Sequence, residues 1–152
     1  MPLDPTKVKR KAEFVNRMHR KVEYALMALK HMSSKNPGEL TTAKEVVAVT
    51  KGPFDAVARV MQKMAQRGLL KSEHGVYGGY VIVKDLGRVT LYELMEDLTG
   101  PMEVVKCLGT SHDCDLTVTC NIQSPVAQFN RKLGEFYRSI SLAELLRVRA
   151  GA

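Results

Sequence analysis

The stretch from residue 42 to residue 83 constrains the fold most, because turn-forming residues cut it into four pieces too short to bury their own apolar sides. Thr42 and Glu45 have the spacing of a capping box, and Val46, Val47 and Val49 give a short helix its apolar side. Lys51-Gly52-Pro53 breaks that helix. Pro53 suits the start of a second one, in which Val57, Val60, Met61 and Met64 share a face and Gly68 supplies the stop. The opposite face carries Asp55, Ala58, Arg59, Gln62, Lys63 and Gln66. Residues 69–72 and 80–83 read as two strands around the glycine-rich tip Glu73-His74-Gly75-Val76-Tyr77-Gly78-Gly79. Two helices joined by a tight turn and followed by a hairpin form the layout of a winged helix-turn-helix, a unit that reads DNA. A helix in the major groove needs one side buried in its own domain and hydrogen-bonding side chains on the other. Arg59 and Lys63 are placed to reach a base edge and a phosphate, and His74 and Tyr77 to enter the minor groove.

Helices are expected on both sides of this unit. The one before it should start near Val15 or Asn16, face the core with Val22, Ala25, Leu26, Leu29 and Met32, and stop at Asn36-Pro37-Gly38. The one after it opens with a capping box, Thr90 and Glu93, buries Leu91, Leu94, Met95 and Leu98, and ends at Gly100-Pro101. Ser124-Pro125 then reads as an N-cap with proline at the first helical position. Val126, Phe129, Leu133, Phe136 and Ile140 follow at alternating steps of three and four, a heptad seam suited to packing against a twin helix. Ser141 and Glu144 start a last short helix with Leu142, Leu145 and Leu146. The expected fold is mainly α with a small β-hairpin wing: a winged helix-turn-helix plus a long C-terminal dimerisation helix. Its divisions are a basic extension (1–15), a DNA-binding domain (16–100), a cysteine loop (101–123) and a dimerisation helix with tail (124–152).

The chain of 152 residues carries a net charge of +7, concentrated at its start. Within residues 1–21, Lys7, Lys9, Arg10, Lys11, Arg17, Arg20 and Lys21 face only Asp4 and Glu13. Such a run favours phosphate contact through counterion release, and Arg20 and Lys21 are the members nearest the helix-turn-helix. No apolar run approaches the length that spans a bilayer, and the basic N-terminus lacks a signal peptide's apolar core. A cytoplasmic location is expected, where thiols stay reduced.

Cys107, Cys114 and Cys120 lie within fourteen residues of an otherwise cysteine-free chain. Three thiolates on one loop suit a soft metal or an iron–sulfur centre. Their odd number argues against a disulfide framework. A thiol enzyme is disfavoured, because no CxxC pair or nucleophile–base spacing is present. Structural zinc held with His112, or no metal at all, is the alternative reading.

Taken in order, several segments resemble the Rrf2 superfamily of bacterial winged-helix regulators, in its iron–sulfur type that includes IscR and NsrR. They are Arg20-Lys21-Val22-Glu23-Tyr24-Ala25-Leu26, Arg67-Gly68-Leu69-Leu70, Gly75-Val76-Tyr77-Gly78-Gly79-Tyr80, the three cysteines, and Ser139-Ile140-Ser141-Leu142-Ala143-Glu144-Leu145. The likeness covers about residues 16 to 146.

The resemblance implies a homodimer that binds a palindromic operator in double-stranded DNA. It also implies a 2Fe–2S or 4Fe–4S cluster held by Cys107, Cys114 and Cys120, whose state tunes operator affinity in response to redox state, nitric oxide or iron. DNA contacts would come from residues 54–63, with Phe54, Asp55, Ala58, Arg59 and Lys63 among them, and from the wing at His74, Tyr77 and Gly78. Two departures matter. The first cysteine gap holds six residues rather than five, and an expected histidine ligand is replaced by Gln123. Another solution in the family takes a carboxylate from the partner's first helix, which makes Glu23 the preferred fourth ligand, with His112 and Asp113 as rivals. In the wing, His74 and Tyr77 replace an arginine and a glycine common in the family.

Overall fold

A computed structural model describes residues 18–108 and 114–149. Helix α1 (Arg20–Ser33) leads into the helix-turn-helix pair α2 (Ala43–Thr50) and α3 (Phe54–Gln66). Strands β1 (Leu70–Glu73) and β2 (Gly79–Ile82) follow, then α4 (Leu91–Thr99), a 3-10 turn at Lys106–Leu108, α5 (Gln123–Arg138) and α6 (Leu142–Leu146).

Helix ends are set locally. Thr42, Thr90 and Ser141 each accept a hydrogen bond from the backbone N–H three residues on, satisfying a donor that the first turn leaves open. Lys51, in the left-handed region at φ 60°, stops α2 and starts the turn to α3. At the end of α3 the N–H of Leu69 reaches the Met64 carbonyl at 2.9 Å and that of Gly68 reaches Ala65 at 3.1 Å. That is a Schellman motif, and Gly68 at φ 80° supplies its left-handed residue.

One core joins these elements. Val22, Leu29, Met61, Met64 and Leu94 are fully buried between α1, α3 and α4, Val46 closes the core from α2, and Leu142 and Ala143 enter from α6. Burial of such side chains contributes about 1.5–3 kcal/mol each. The wing is antiparallel, pairing Leu70 with Ile82 and Glu73 with Gly79. Thr41 adds a third edge, exchanging backbone hydrogen bonds with Tyr80 at 2.9 and 2.8 Å. The wing is thereby fastened just ahead of α2.

Several expectations are corrected. Helix α1 begins at Arg20, not near Val15 or Asn16, because His19 adopts an extended conformation and caps it through its ring nitrogen. Val49 is exposed, since the eight-residue α2 turns only Val46 fully inward. Thr42 caps α2, but Glu45 does not close the box: its carboxylate is taken by Lys35 and His31. Both strands run one residue off the expected bounds: the Leu69 N–H is spent in the Schellman motif, so β1 starts at Leu70, although the Leu69 carbonyl still accepts from the Val83 N–H at 3.1 Å. Helix α5 starts at Gln123 with Ile122 before it, so Ser124-Pro125 lies inside its first turn rather than capping it.

Candidate nucleic-acid interface and cysteine loop

Helix α3 has one side locked in the core by Val57, Val60, Met61 and Met64. The other presents Phe54, Asp55, Arg59, Gln62 and Gln66 exposed and Ala58 and Lys63 half-buried. Among the described residues neither Arg59 nor Lys63 forms an ion pair, so both cations are available outward. At the wing tip the Gly78 N–H donates to the Gly75 carbonyl at 3.1 Å. A Cβ on Gly78 would lie 2.6 Å from the Glu73 carbonyl oxygen, so only glycine fits that turn. The turn projects Val76 and Tyr77, 94% and 90% exposed, with His74 exposed beside them. Val76 and Tyr77 stand together between Gly75 and Gly78 at this tip.

Arg20 and Lys21 are exposed in the first turn of α1. Cations there oppose the helix dipole, so the helix gains nothing from them, whereas a phosphate would. Arg20 pairs with Glu23 at 3.0 Å. The basic residues at 7–17 lie outside the described residues.

Cys107 sits in the 3-10 turn, Cys114 opens a run of turns, and Cys120 precedes α5. All three are half-buried free thiols. Thr117 fixes the Cys114 carbonyl with its N–H at 3.2 Å and its hydroxyl at 2.7 Å. Among the described residues no three His, Cys, Asp or Glu side chains are gathered closely enough to hold a metal ion. The structure therefore places the thiols on one loop without bringing them to one point. His112 and Asp113 lie outside the described residues, and Glu23 lies on α1 against Arg20. The donor set itself, three thiols spaced along a loop, fits a thiophilic centre in kind.

Helix α5 docks on α4 through one face. A Cβ on the buried Gly134 would meet Met102 and Tyr92, and the Arg138 guanidinium lies 3.7 Å over the Tyr92 ring. Of the expected seam, Ile140 and neighbouring Tyr137 pack on the core, and Val126 and Leu133 are half-buried. Phe129 and Phe136 are 54% and 58% exposed. Leu116, Val118 and Ile122 add exposed apolar surface ahead of the helix. Among the described residues no helix is long and apolar enough to cross a membrane.

Comparison with known proteins agrees with this arrangement. The family described as "Rrf2: Iron-dependent Transcriptional regulator" matches residues 18–148. A protein of Aquifex aeolicus (strain VF5), named among the HTH-type transcriptional regulators, is 24% identical over 129 residues, spanning 84% of this chain and 89% of its own. In fold the chain is similar to CymR (YrzC), the global cysteine regulator of B. subtilis, with TM-score 0.63 and 20% identity over 86% of this chain and 96% of that one. It is also similar to T. potens IscR, with TM-score 0.61 and 19% identity over 86% of each chain.

Proposed function

Because the chain belongs to the Rrf2 family of transcriptional regulators, we propose that it acts as a homodimer on a palindromic operator, under the control of an iron–sulfur cluster held on the cysteine loop. The observation that carries the DNA-reading part is α3 itself: its inner side is locked in the core and its outer cations are unpaired among the described residues. Phe54, Asp55, Ala58, Arg59 and Lys63 would face the major groove, His74, Tyr77 and Gly78 the minor groove, and Arg20 and Lys21 the phosphates. Exposed Phe129 and Phe136 favour a twin helix as the cover for α5, which would set two α3 helices about one DNA turn apart.

Cys107, Cys114 and Cys120 would hold the cluster, with Glu23 of the partner subunit as fourth ligand. Glu23 would give up only an exposed ion pair with Arg20, which costs about 0–1 kcal/mol. When bound, the cluster supplies chemistry sensitive to oxidants, nitric oxide and iron supply. The loop connects physically to the reading helix. Val104, just before Cys107, donates its N–H to Asn130 of α5 at 3.0 Å, α5 packs on α4, and Asp97 of α4 lies 3.9 Å from Arg67 at the end of α3.

The test pairs an anaerobic visible spectrum, with iron and sulfide analysis, with operator binding before and after loading, for the native chain and Cys114→Ala. Visible bands with matching iron and sulfide, lost in the variant, together with an affinity change on loading, are expected. A colourless protein that binds DNA equally with and without iron and sulfide would remove the cluster and leave a DNA-binding dimer with zinc or no metal.

A further inference from the structure

The outward face of α3 has two chemically unlike edges. Arg59 and Lys63, four residues apart, make a cationic edge, while Phe54 and Ala58, also four apart, make an apolar one, with Asp55 and Gln62 between. Phe54 is the first residue of the helix and stands 46% exposed. Its position is fixed from behind: the Val57 N–H donates to the Pro53 carbonyl at 3.0 Å, and a Cβ on Gly52 would press on the Val57 side chain at 3.3 Å.

In a helix-turn-helix the N-terminal residues of the second helix meet the base edges. A phosphate offers nothing to a phenyl ring. The apolar group that a base pair shows in the major groove is the C5 methyl of thymine. Asp55 reinforces this orientation, because its exposed carboxylate is repelled by phosphate and satisfied only by amino groups of bases. Resting on the DNA-reading role above, we propose that Phe54, flanked by Ala58, determines operator specificity by reading thymine through its methyl group. The operator half-site must then hold a thymine where the start of α3 enters the groove.

The test uses the full-length chain. Its operator is selected from a pool of random duplexes, and each thymine of a half-site is replaced in turn by deoxyuridine, which deletes the methyl alone. At one position the replacement should weaken binding roughly fourfold per half-site and about fifteenfold when made in both, the value of burying one carbon. Phe54→Ala should bind thymine and uracil alike at that position while keeping any discrimination at the others, and Phe54→Leu should restore part of it. Deoxyuridine tolerated by the native chain at every position overturns the proposal whether or not the variants fold. Equal thymine preference in Phe54→Ala, or a selected half-site without thymine, also overturns it. A pool from which no sequence emerges instead overturns the DNA-reading role, and this inference with it.

Discussion

Asn130 of α5 holds the segment that enters the cysteine loop: its Oδ1 accepts from the Val104 N–H at 3.0 Å, and its Nδ2 donates to the Met102 carbonyl at 3.4 Å. One side chain thus ties the approach to Cys107 to the helix that follows Cys120. Asn130→Ala leaves a partly buried N–H and carbonyl without these partners, which should cost about 1–3 kcal/mol in urea unfolding. If the loop governs operator affinity, the variant should also bind operator with less dependence on iron and sulfide loading.

Gly79 is a second tight point of the wing, where β2 meets Thr41. A Cβ there would lie 2.9 Å from the backbone oxygen of Thr41 and 3.1 Å from its carbonyl carbon, neither of which is a flexible side-chain end. Gly79→Ala should therefore push Thr41 away from Tyr80 and destabilise the domain by about 1–3 kcal/mol. Gly38→Ala, at φ 81° with nothing near, should show only the smaller cost of backbone strain. Thermal unfolding of the two variants side by side checks the difference.

The α1–α2 contact makes stability depend on acid. Hydrogen bonds from Lys35 at 2.8 and 2.9 Å hold the Glu45 carboxyl below a glutamate's ordinary 4.5; burial opposes this, and His31, 2.7 Å away, adds to the lowering. A carboxylate whose pKa is lower folded than unfolded stabilises the fold above the unfolded value. That contribution falls away as pH drops below 4.5 and through the lower folded value. Glu45→Gln should flatten this part of the Tm-against-pH curve. An unchanged curve would contradict the assignment.

Leu142 is fully buried although it lies near the end of the chain. The α6 segment is pinned there by Leu142 N–H to Val89 at 2.8 Å and Ala143 N–H to Leu86 at 3.0 Å. Leu142→Ala should cost about 2–5 kcal/mol in urea unfolding, whereas Leu145→Ala, on the outer side, should stay within about 1 kcal/mol.

Phe129 and Phe136 test the proposed twin helix. Replacing both with serine should move the protein from dimer to monomer in sedimentation equilibrium. Both rings are more than half exposed, so the unfolding transition of the monomer itself should change little. A dimer that survives the double substitution would place the interface elsewhere.

What could be read from the sequence was what short-range physics decides. Thr42, Thr90 and Ser141 mark helix starts because a hydroxyl reaches an N–H three residues on whatever the rest of the chain does. Gly68 and Gly100 mark stops for the same reason, and Val57, Val60, Met61 and Met64 declare the inner face of α3 by spacing alone. The outer face, with Asp55, Arg59 and Lys63, followed directly, whereas Phe54 was indicated only by the family resemblance. The remainder depended on neighbours distant in sequence. Glu45 sits three residues after a threonine just as Glu93 does, yet only Glu93 closes its box, because His31 of α1 and Lys35 just beyond its end stand within reach of Glu45. The seam on α5 looked uniform along the chain. The helix ends at Arg138, so Ile140 leaves the seam and packs on the core, while Phe129 and Phe136 stay outside. Periodicity states that a helix has an apolar side, but which part of that side meets its own domain is settled only when Gly134 and Asn130 find their partners on other elements.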